Sequence, residues 1–486
     1  MRVLMVSPEA VPFAKTGGLA DVAGALPKAL KNKGVDVALV MPKYRTVDEE
    51  RFSLRETGIT IKVPIAGGIK KATVLKGKIE GNIPVYFIRN DKYYDRDDLY
   101  GTADGDFPDN AERFIFFSRA VLELCKAIDF KADVIHCNDW QTALIPVYIK
   151  TLYRDDPFFS ETATMLTVHN LGYQGLFWHF DMHLTGLGWD LFTPEGIEFF
   201  GKINFLKGGL VFSDIITTVS KAYSREIQTE ELGHGLEGVL AQRKNVLYGI
   251  VNGIDYDEWD PAKDTYITAK FSSEDIKGKA ICKNELQRLY SLPVKKDIPL
   301  IAMISRLAGQ KGFDLIEGAV DDLMAMDLQM IFLGTGDRKY QDLLEKIGSK
   351  YPKKAGVKIG YNVALAHKIE AGADIFLMPS RYEPCGLNQL YSLKYGTIPV
   401  VRATGGLDDT IKNFNSETGN GNGFKFRDYS SDAILKGVSK AVELYKDKRR
   451  WKKIMQNAMA CDFSWEHSAK EYVKVYNKAL TKVGSN

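Results

Sequence analysis

The stretch Arg2-Val-Leu-Met-Val-Ser-Pro-Glu-Ala-Val-Pro-Phe-Ala-Lys-Thr-Gly-Gly-Leu-Ala-Asp21 decides the fold. It begins with a short apolar run that is typical of a buried strand, and a loop with paired glycines follows. From Leu19 onward apolar residues recur at helical spacing, and Gly34 is placed to end that helix. A strand, a glycine loop and a helix in this order aim backbone N–H groups at an anion. The stretch therefore predicts an anion site with Lys15 as added charge, although a tight turn with a solvated lysine is the simpler alternative for this motif alone.

Short apolar runs alternate with helix-like segments along the rest of the chain. The runs are apolar almost throughout, as is expected of strands covered on both faces in a parallel sheet. The predicted strands are Arg2–Ser7, Val35–Met41, Val85–Arg89, Val134–Cys137, Thr164–Val168, Ile215–Val219, Pro299–Ser305, Gln329–Leu333, Val357–Ile359, Ile375–Pro379 and Ile398–Val401. This alternation predicts an α/β fold whose ligands bind at the carboxyl ends of the strands.

The chain has 486 residues, which is too long for one hydrophobic core, so two domains are expected. The strand pattern lapses after Gly253, where a turn-rich stretch precedes a polar helical segment. The predicted parts are an N-terminal Rossmann-like domain over 1–253, a linker with a polar helical segment over 254–298, a C-terminal Rossmann-like domain over 299–464, and a C-terminal helix over 465–486 that packs back on the first domain. Two such domains would leave a deep cleft between them, where we expect the chemistry.

Two polar clusters follow predicted strands in the first half. Asp139 and Trp140 suit a sugar, because the carboxylate accepts hydroxyl hydrogen bonds while the ring offers a flat apolar face. The alternative, in which Asp139 caps the next helix and Trp140 packs in the core, is about equally good. His169 lies in a loop that also carries Asn170 and Tyr173. A lone histidine is more often a satisfied buried side chain, but these polar neighbours favour a sugar site.

Two more clusters follow strands in the second half. Arg306 and Lys311 lie in a loop before a helix, where a forked guanidinium and an ammonium can grip a diphosphate. Glu383 is a carboxylate held at a strand end by a proline turn. The amides of Gly386 and Leu387, which follow it, can meet a phosphate or a sugar. The alternatives are a charged surface loop and a Glu383 that merely caps a helix or pairs with a neighbouring arginine.

One sequence element occurs twice, as Thr16-Gly-Gly-Leu-Ala-Asp21 and as Thr404-Gly-Gly-Leu-Asp-Asp409. Coincidence between two glycine-rich turns is the simpler interpretation. The alternative is that each domain presents a similar turn to one shared ligand.

Composition excludes several classes of protein. A formal net charge of +3 over this length gives no sign of a polyanion-binding surface, so nucleic acid is not an expected partner. The N-terminus lacks the features of a signal peptide, and no apolar run is long enough to cross a membrane. The five cysteines are odd in number and form no Cys-x-x-Cys pair for zinc. We therefore expect a cytoplasmic protein with no membrane partner and no bound metal.

Together and in this order, the motifs resemble those of the bacterial glycogen synthase and plant starch synthase family over nearly the whole chain, from Lys15 to the helix after Trp465. The resemblance implies a GT-B fold with an acceptor-side first domain and a nucleotide-sugar-binding second domain. It implies transfer of glucose from ADP-glucose to the non-reducing end of an α-1,4-glucan acceptor. It also implies retention of configuration at the anomeric carbon and no metal or other cofactor.

The resemblance further implies roles for particular residues. The catalytic residues would be Lys15, Asp139, His169, Arg306, Lys311 and Glu383. The substrate-binding residues would be Glu9, Gly17, Gly18, Asp21, Trp140, Asn170, Tyr173, Asn252, Gln310, Tyr361, Cys385, Gly386, Leu387 and Asn388. Asn138 and Asn388 depart from the family, since many relatives carry histidine and threonine there. These departures concern substrate preference more than activity.

No convincing second carboxylate accompanies Glu383, and the place where related retaining enzymes carry one is Tyr391. Since a retaining glycosidase uses two carboxylates, we expect a different route, in which the acceptor attacks the same face of the sugar and the leaving phosphate takes its proton. Two alternatives to a glucan synthase remain. One is another GT-B nucleotide-sugar enzyme, such as an epimerase or a small-glucoside transferase. The other is a glucan-binding protein that has lost catalysis, which the presence of all the charged residues above disfavours.

Overall fold

A computed structural model describes residues 1–102 and 104–483 of the chain. The chain forms two compact units, of which the first comprises Met1–Gly253 with Trp465–Asn486 and the second Ile254–Ser464. These divisions fall at the predicted boundaries after residue 253 and before residue 465. The end of the predicted C-terminal helix, at 484–486, lies outside the described residues.

The described part of the first unit contains a sheet of nine strands, a sheet of three strands, a sheet of two strands and surrounding helices. Its strands are β1 (Arg2–Val6), β2 (Asp36–Pro42), β3 (Arg55–Ile65), β4 (Gly68–Ile79), β5 (Ile83–Arg89), β6 (Gly101–Thr102), β7 (Gly105–Asp106), β8 (Val134–Asn138), β9 (Ala163–Val168), β10 (Leu176–Trp178), β11 (Glu198–Phe199), β12 (Lys202–Asn204), β13 (Ile215–Thr218) and β14 (Leu247–Gly249). Its helices up to this point are α1 (Gly18–Asn32), α2 (Asp91–Tyr94), α3 (Asn110–Ala127), α4 (Leu144–Lys150), α5 (Met182–Thr185), α6 (Phe205–Phe212), α7 (Lys221–Glu226) and α8 (Glu237–Gln242).

The large sheet has nine strands in the order β14-β13-β9-β8-β1-β2-β5-β4-β3. β1 lies at its centre and pairs in parallel with β2 and β8. β8 and β9 are buried along their whole length, as the apolar sequence predicts for central parallel strands. Their carboxyl ends therefore meet at one edge of the sheet, and the glycine loop, Asp139 and His169 all follow there.

The hairpin of β3 and β4 is an addition that the strand pattern does not predict. β3 pairs with β4, and β4 pairs with β5, both in antiparallel fashion. In β3 the buried Ile61, Val63 and Ile65 alternate with the exposed Lys62 and Pro64. Such alternation marks a strand with one solvated face, whereas the predicted strands were identified from continuous apolar runs.

The second unit is built around one parallel sheet. Its elements are α9 (Lys277–Leu289), β15 (Leu300–Ile304), α10 (Phe313–Ala325), β16 (Gln329–Gly334), α11 (Arg338–Lys350), β17 (Ala355–Ile359), α12 (Val363–Gly372), β18 (Ile375–Met378), α13 (Asn388–Lys394), β19 (Ile398–Arg402), α14 (Gly405–Thr410), β20 (Phe424–Phe426), α15 (Ser431–Lys446) and α16 (Lys448–Met459). The strand order is β17-β16-β15-β18-β19-β20. A core of apolar side chains from these strands and helices fills the unit.

The stretch 254–298, predicted as a linker, is part of the second unit. The buried Lys279 of α9 donates hydrogen bonds to the Thr397 hydroxyl at 2.7 Å and to nearby backbone carbonyls. The Trp259 ring stacks on His367 and on Tyr391, with 3.8 Å between ring centroids in each pair. A buried ammonium is costly unless it is hydrogen-bonded, and the acceptors of Lys279 all lie in the second unit. The polar helical segment is therefore part of that unit and not a free linker.

The C-terminal helix α17 (Trp465–Val483) belongs to the first unit and packs against α1, β8 and β9. A hydrogen-bond chain joins it to the sheet. The buried His136 ring contacts the Tyr476 hydroxyl at 2.9 Å through Nδ1 and the Thr167 hydroxyl at 2.6 Å through Nε2. Burial lowers the pKa of His136 to about 3, so the ring is neutral at physiological pH.

Replacing Tyr476 by phenylalanine should destabilise the first unit. The change leaves the buried Nδ1 of His136 without its hydroxyl partner, which costs about 1–3 kcal/mol. The urea midpoint should fall accordingly. The matched control is Tyr248→Phe, since the Tyr248 hydroxyl makes only an exposed bond to the Asn245 carbonyl at 3.3 Å. Equal midpoints for the two variants would contradict the role given to Tyr476.

Candidate functional site

The glycine loop after β1 is held by a buried carboxylate. Glu9, which is 4% exposed, accepts hydrogen bonds from the Thr16 amide at 2.5 Å, the Thr16 hydroxyl at 2.6 Å and the Tyr100 hydroxyl at 2.7 Å. The Gly17 amide is a longer fourth donor at 3.3 Å. A carboxylate has about four acceptor positions, so protein donors saturate this one. Glu9 therefore supports the loop, and its predicted contact with substrate stays a prediction.

The outer side of the loop is exposed and charged. Lys15 Nζ lies 2.7 Å from Asp21 Oδ1. Burial raises the pKa of Asp21, and the Lys15 charge opposes that rise. α1 begins at Gly18, and its N-cap residue, Gly17, has no side chain that could accept a hydrogen bond from the first amides of the helix. The amides at the start of α1 and the Lys15 ammonium are therefore suited to an anion, as the sequence predicts.

Asp139 occupies an unusual backbone position at the end of β8. Its φ of 56° lies in the left-handed region, which is rare for a residue with a side chain. Its Oδ1 accepts the His169 backbone N–H at 2.7 Å. Burial raises the pKa of Asp139 to about 7, and the charge of nearby Glu9 adds to the rise. The carboxyl can therefore hold or release a proton near neutral pH.

His169 lies beside Asp139 and is a neutral ring. Its Nε2 contacts Asn138 Oδ1 at 2.9 Å. Burial lowers the pKa of His169 to about 3. The sequence does not predict this contact with Asn138. The only sequence signal was that asparagine stands where many relatives carry histidine.

Trp140 is a core residue, so the prediction that its ring stacks on a sugar is wrong. The side chain is 9% exposed and packs against Phe114, Phe177 and Phe205, with 4.9, 5.6 and 6.5 Å between ring centroids. Aromatic neighbours on this scale bury the face that a pyranose would need. The alternative of a core tryptophan, which the sequence left open, is the correct one.

Three other predicted binding residues of the first unit differ in what they offer. Asn170 Oδ1 accepts the Gly172 amide at 3.0 Å and shapes its own loop. Tyr173 is 55% exposed in the same loop. Asn252 is 5% exposed, and its Oδ1 has no hydrogen-bond partner among the described residues. An unsatisfied buried amide oxygen is rare, so Asn252 is a ready acceptor for a ligand.

In the second unit, an ion pair joins the loops that follow β15 and β18. Lys311 Nζ lies 2.6 Å from Glu383 Oε2, and the Ser380 hydroxyl donates to the same oxygen at 3.0 Å. Both charged side chains are mostly buried, whereas Arg306 is exposed in the same loop as Lys311. The arrangement places two cations in the loop after β15, beside the loop that follows the adjacent parallel strand β18. Such a cluster can neutralise a diphosphate.

Two predicted binding residues, Gln310 and Asn388, form hydrogen bonds that hold these loops in place. Gln310 Nε2 donates to the Tyr382 carbonyl at 3.1 Å, and the Arg381 amide donates to the Gln310 carbonyl at 2.8 Å. Asn388 Nδ2 donates to the Ile304 carbonyl at 2.7 Å. Part of their polar capacity is thus used within the protein, which holds the loops in place.

The turn after Glu383 rests on the second copy of the repeated glycine element. The Gly406 amide donates to the Glu383 carbonyl at 3.0 Å, and a Cβ at Gly406 would collide with the Cys385 carbonyl. Residues 404–406 are buried, whereas 16–18 are exposed. The repeat therefore does not present two equivalent turns to a ligand, because the second copy supports the protein's own backbone.

The remaining predicted binding residues of this unit lie in two loops. Cys385 is buried, while Gly386, with φ of 70°, and Leu387 are partly exposed at the start of α13. Tyr361 follows β17 and is 70% exposed, so its ring is open to a flat ligand. Within residues 1–102 and 104–483, no group of three or more His, Cys, Asp or Glu side chains is arranged to hold a metal ion. In the same ranges, no helix has the length and apolar character needed to cross a membrane.

Two protein families match this chain. The family described as starch synthase catalytic domain matches residues 2–242, and the family described as glycosyl transferases group 1 matches residues 290–458. Glycogen synthases from Koribacter versatilis and Thermosipho africanus are each 51% identical to it over 99% of this chain and 98% and 100% of theirs. A glycogen synthase from Thermotoga maritima is 50% identical over 100% of both chains.

Solved structures show the same architecture. The catalytic domain of starch synthase IV from Arabidopsis thaliana, bound to ADP and acarbose, superposes with a TM-score of 0.90 at 34% identity and covers 99% of both chains. Sucrose-phosphate synthase from Thermosynechococcus elongatus superposes with a TM-score of 0.61 at 14% identity over 99% of both chains, which shows a shared fold alone. The two-domain GT-B fold predicted from the sequence is thereby confirmed.

Replacing Asp139 by asparagine should change how stability depends on pH. The folded protein raises the pKa of Asp139 from 3.8 to about 7, so it holds this proton to a higher pH than the unfolded chain does. In that interval the unfolded chain releases the proton while the folded protein keeps it, so the unmutated protein loses stability as the pH rises. The variant lacks this cost. The difference between the urea midpoint of the variant and that of the unmutated protein should therefore increase as the pH rises from 3.8 to about 7.

The exposed Asp98→Asn variant is the matched control, and its midpoint should run parallel to that of the unmutated protein. The buried His136 and His169 act in the opposite direction, because their folded pKa values of about 3 remove stability as the pH falls below their usual 6.5. They are present in all three proteins, so the difference isolates Asp139. A parallel curve for Asp139→Asn would show that its carboxyl titrates normally.

Proposed function

This chain belongs to the family of bacterial glycogen synthases and plant starch synthases, and we propose that it lengthens α-1,4-glucans by transferring glucose from ADP-glucose to a non-reducing end. The observation that carries the proposal is the likeness over 99% of the chain to a starch synthase catalytic domain bound to ADP. ADP is what remains of ADP-glucose when the glucose departs. Glycogen synthases half identical over the full length support the same acceptor class.

The second unit is suited to stabilise the departing nucleotide. Breaking the bond between glucose and phosphate leaves negative charge on the diphosphate, and fixed positive groups lower the barrier most when they are in place beforehand. Glu383 and its partner Ser380 hold the Lys311 ammonium in position. We assign the neutralisation of the leaving group to Lys311 and to the exposed Arg306. These cations take the part that a metal ion plays in many transferases, so we propose that no metal is required.

The proposed reaction retains the configuration of the anomeric carbon without a covalent glucosyl-enzyme. A two-step route needs a second carboxylate as nucleophile. At the position where related retaining enzymes carry one, the Tyr391 ring stacks on Trp259 at 3.8 Å. We therefore propose attack by the acceptor on the face that the phosphate leaves, with a phosphate oxygen taking the acceptor's proton. Asp139 and His169 are proposed to contact the transferred glucose, Asp139 through a carboxyl that changes protonation near neutral pH.

The proposed location is the cytosol. Cys125, Cys137, Cys282 and Cys461 are free thiols. Free cysteines persist in a reducing compartment.

Purified protein should incorporate labelled glucose from ADP-glucose into glycogen, with chelator present and no added divalent metal. UDP-glucose is the comparison donor. Incorporation that disappears with chelator would contradict the metal-free route alone. A labelled product of low molecular weight would instead favour a small-glucoside transferase, and interconversion of the donor sugar an epimerase.

Arg306→Ala and Lys311→Ala should each lower kcat by about 10²–10³-fold, the range found when one preorganised charge-stabilising group is lost. The urea midpoint is measured in parallel to separate catalysis from folding. Arg338→Ala is the matched control, because Arg338 is 78% exposed and pairs only with Asp342 on the same helix. Near-normal kcat for both site variants would remove these residues from the mechanism.

A further inference from the structure

Asn138 sits at the centre of a buried hydrogen-bond network at the end of β8. Its side chain is fully buried. Nδ2 donates to the Val6 carbonyl at 3.0 Å and to the His136 carbonyl at 3.4 Å. Oδ1 faces His169 Nε2 at 2.9 Å. Both N–H groups of the amide and its oxygen therefore have hydrogen-bond partners within the protein.

The network fixes which end of the Asn138 amide faces His169. Two carbonyl oxygens lie on one side of the amide, and a carbonyl can only accept a hydrogen bond. The amide nitrogen must lie on that side, since the reverse orientation would bring oxygen against oxygen. The atom that faces His169 is therefore an acceptor, and His169 Nε2 must carry the hydrogen.

This orientation also fixes the other nitrogen of the ring. A neutral imidazole has one N–H and one lone pair, so a hydrogen on Nε2 leaves the lone pair on Nδ1. No hydrogen bond to Nδ1 is made by the described residues, although the His169 backbone N–H is bound to Asp139. Nδ1 is thus a hydrogen-bond acceptor with no partner among the described residues, and a ligand can donate to it.

We propose that Asn138 is a positioning residue that locks His169 as the Nε2–H tautomer, so that Nδ1 accepts a hydrogen bond from a hydroxyl of the sugar substrate. The identity of that substrate rests on the proposed function, whereas the tautomer does not. Asparagine suits this role because its amide does not titrate. The acceptor then persists over the whole range in which a histidine or a carboxylate at this position would gain or lose a proton.

Two titratable groups face His169 and bear on its protonation. The Asp139 carboxyl accepts the His169 backbone N–H at 2.7 Å, and the neutral His136 ring lies close enough to interact electrostatically. The low pKa of His169, about 3, agrees with a ring held neutral in their company. Both groups are unchanged in the variants below, so comparison with the unmutated protein removes their contributions.

The first test needs neither substrate nor mutation of Asn138. The ring nitrogens of the seven histidines are labelled with 15N and observed by NMR. The signals that vanish in a His169→Gln variant belong to His169. We expect a protonated Nε2 and an unprotonated Nδ1 from about pH 6 to about pH 8, the interval in which an ordinary histidine titrates. The Nδ1–H tautomer, or a ring that titrates in this interval, would overturn the proposal.

The second test replaces Asn138 itself. Asn138→Asp keeps an acceptor for Nε2 but replaces the Nδ2 donor by an oxygen that faces the Val6 and His136 carbonyls. In its ionised form it also adds a charge that favours the doubly protonated ring, so the pKa of His169 should rise. As the pH falls, Nδ1 then becomes a donor. We expect the KM for the sugar donor or acceptor to rise by about tenfold toward acidic pH, the effect of one lost hydrogen bond, with kcat changing less. The rise is measured relative to the unmutated protein, whose own pH profile carries the contribution of Asp139.

Asn422→Asp is the matched control, because Asn422 is also a buried amide that bonds backbone atoms but lies in the second unit. It should lose stability without altering the His169 signals or the pH profile. An Asn138→Asp profile identical to that of the control would contradict the proposal. Absence of glucosyl transfer in the unmutated protein would refute the proposed function instead, and the tautomer measurement would still decide the role of Asn138.

Discussion

A polar group that ends up buried at the edge of a sheet must find hydrogen-bond partners, and this requirement organises both units. Glu9 is satisfied by the loop that it supports, since its donors are the Thr16 amide and hydroxyl, the Gly17 amide and the Tyr100 hydroxyl. Glu383 is satisfied by Lys311 and by a serine hydroxyl. Leaving such a carboxylate unpaired would cost several kcal/mol, so the loops close on it and become fixed. The charges and amides that these loops carry are positioned by the same bonds.

Charged and polar groups contribute most to catalysis when they are held in place before the reaction begins. Lys311 is held by its counter-ion, and the His169 ring by the Asn138 amide. A cation that is already in place stabilises a departing diphosphate without first having to order itself. A neutral histidine offers a lone pair where a charged one would offer only hydrogens. The Tyr391 ring stacks on Trp259 at the position where related retaining enzymes carry a second carboxylate.

The sequence predicts the parallel strands well because each is a continuous apolar run, and the residues that follow those strands are found together at their carboxyl ends. It fails for β3 and β4, whose residues alternate between a buried and a solvated face. It also does not reveal that Trp140 packs in the core or that Glu9 supports the glycine loop. Their true partners are distant in sequence, as Tyr100 is from Glu9, and local spacing carries no information about them. Asn138 was visible as a departure from the family, but its hydrogen bonds depend on two other strands.

Elongation of an α-1,4-glucan with retention is recorded in the anomeric configuration of the new linkage. ADP-glucose labelled with 13C at the anomeric carbon is offered with a short linear α-1,4-glucan, and the product is observed by NMR during the first turnovers. We expect the label to appear as α-1,4-linked glucose at the non-reducing end of a chain one residue longer. A β-linked residue, or label found only in free glucose or in a small glucoside, would contradict it.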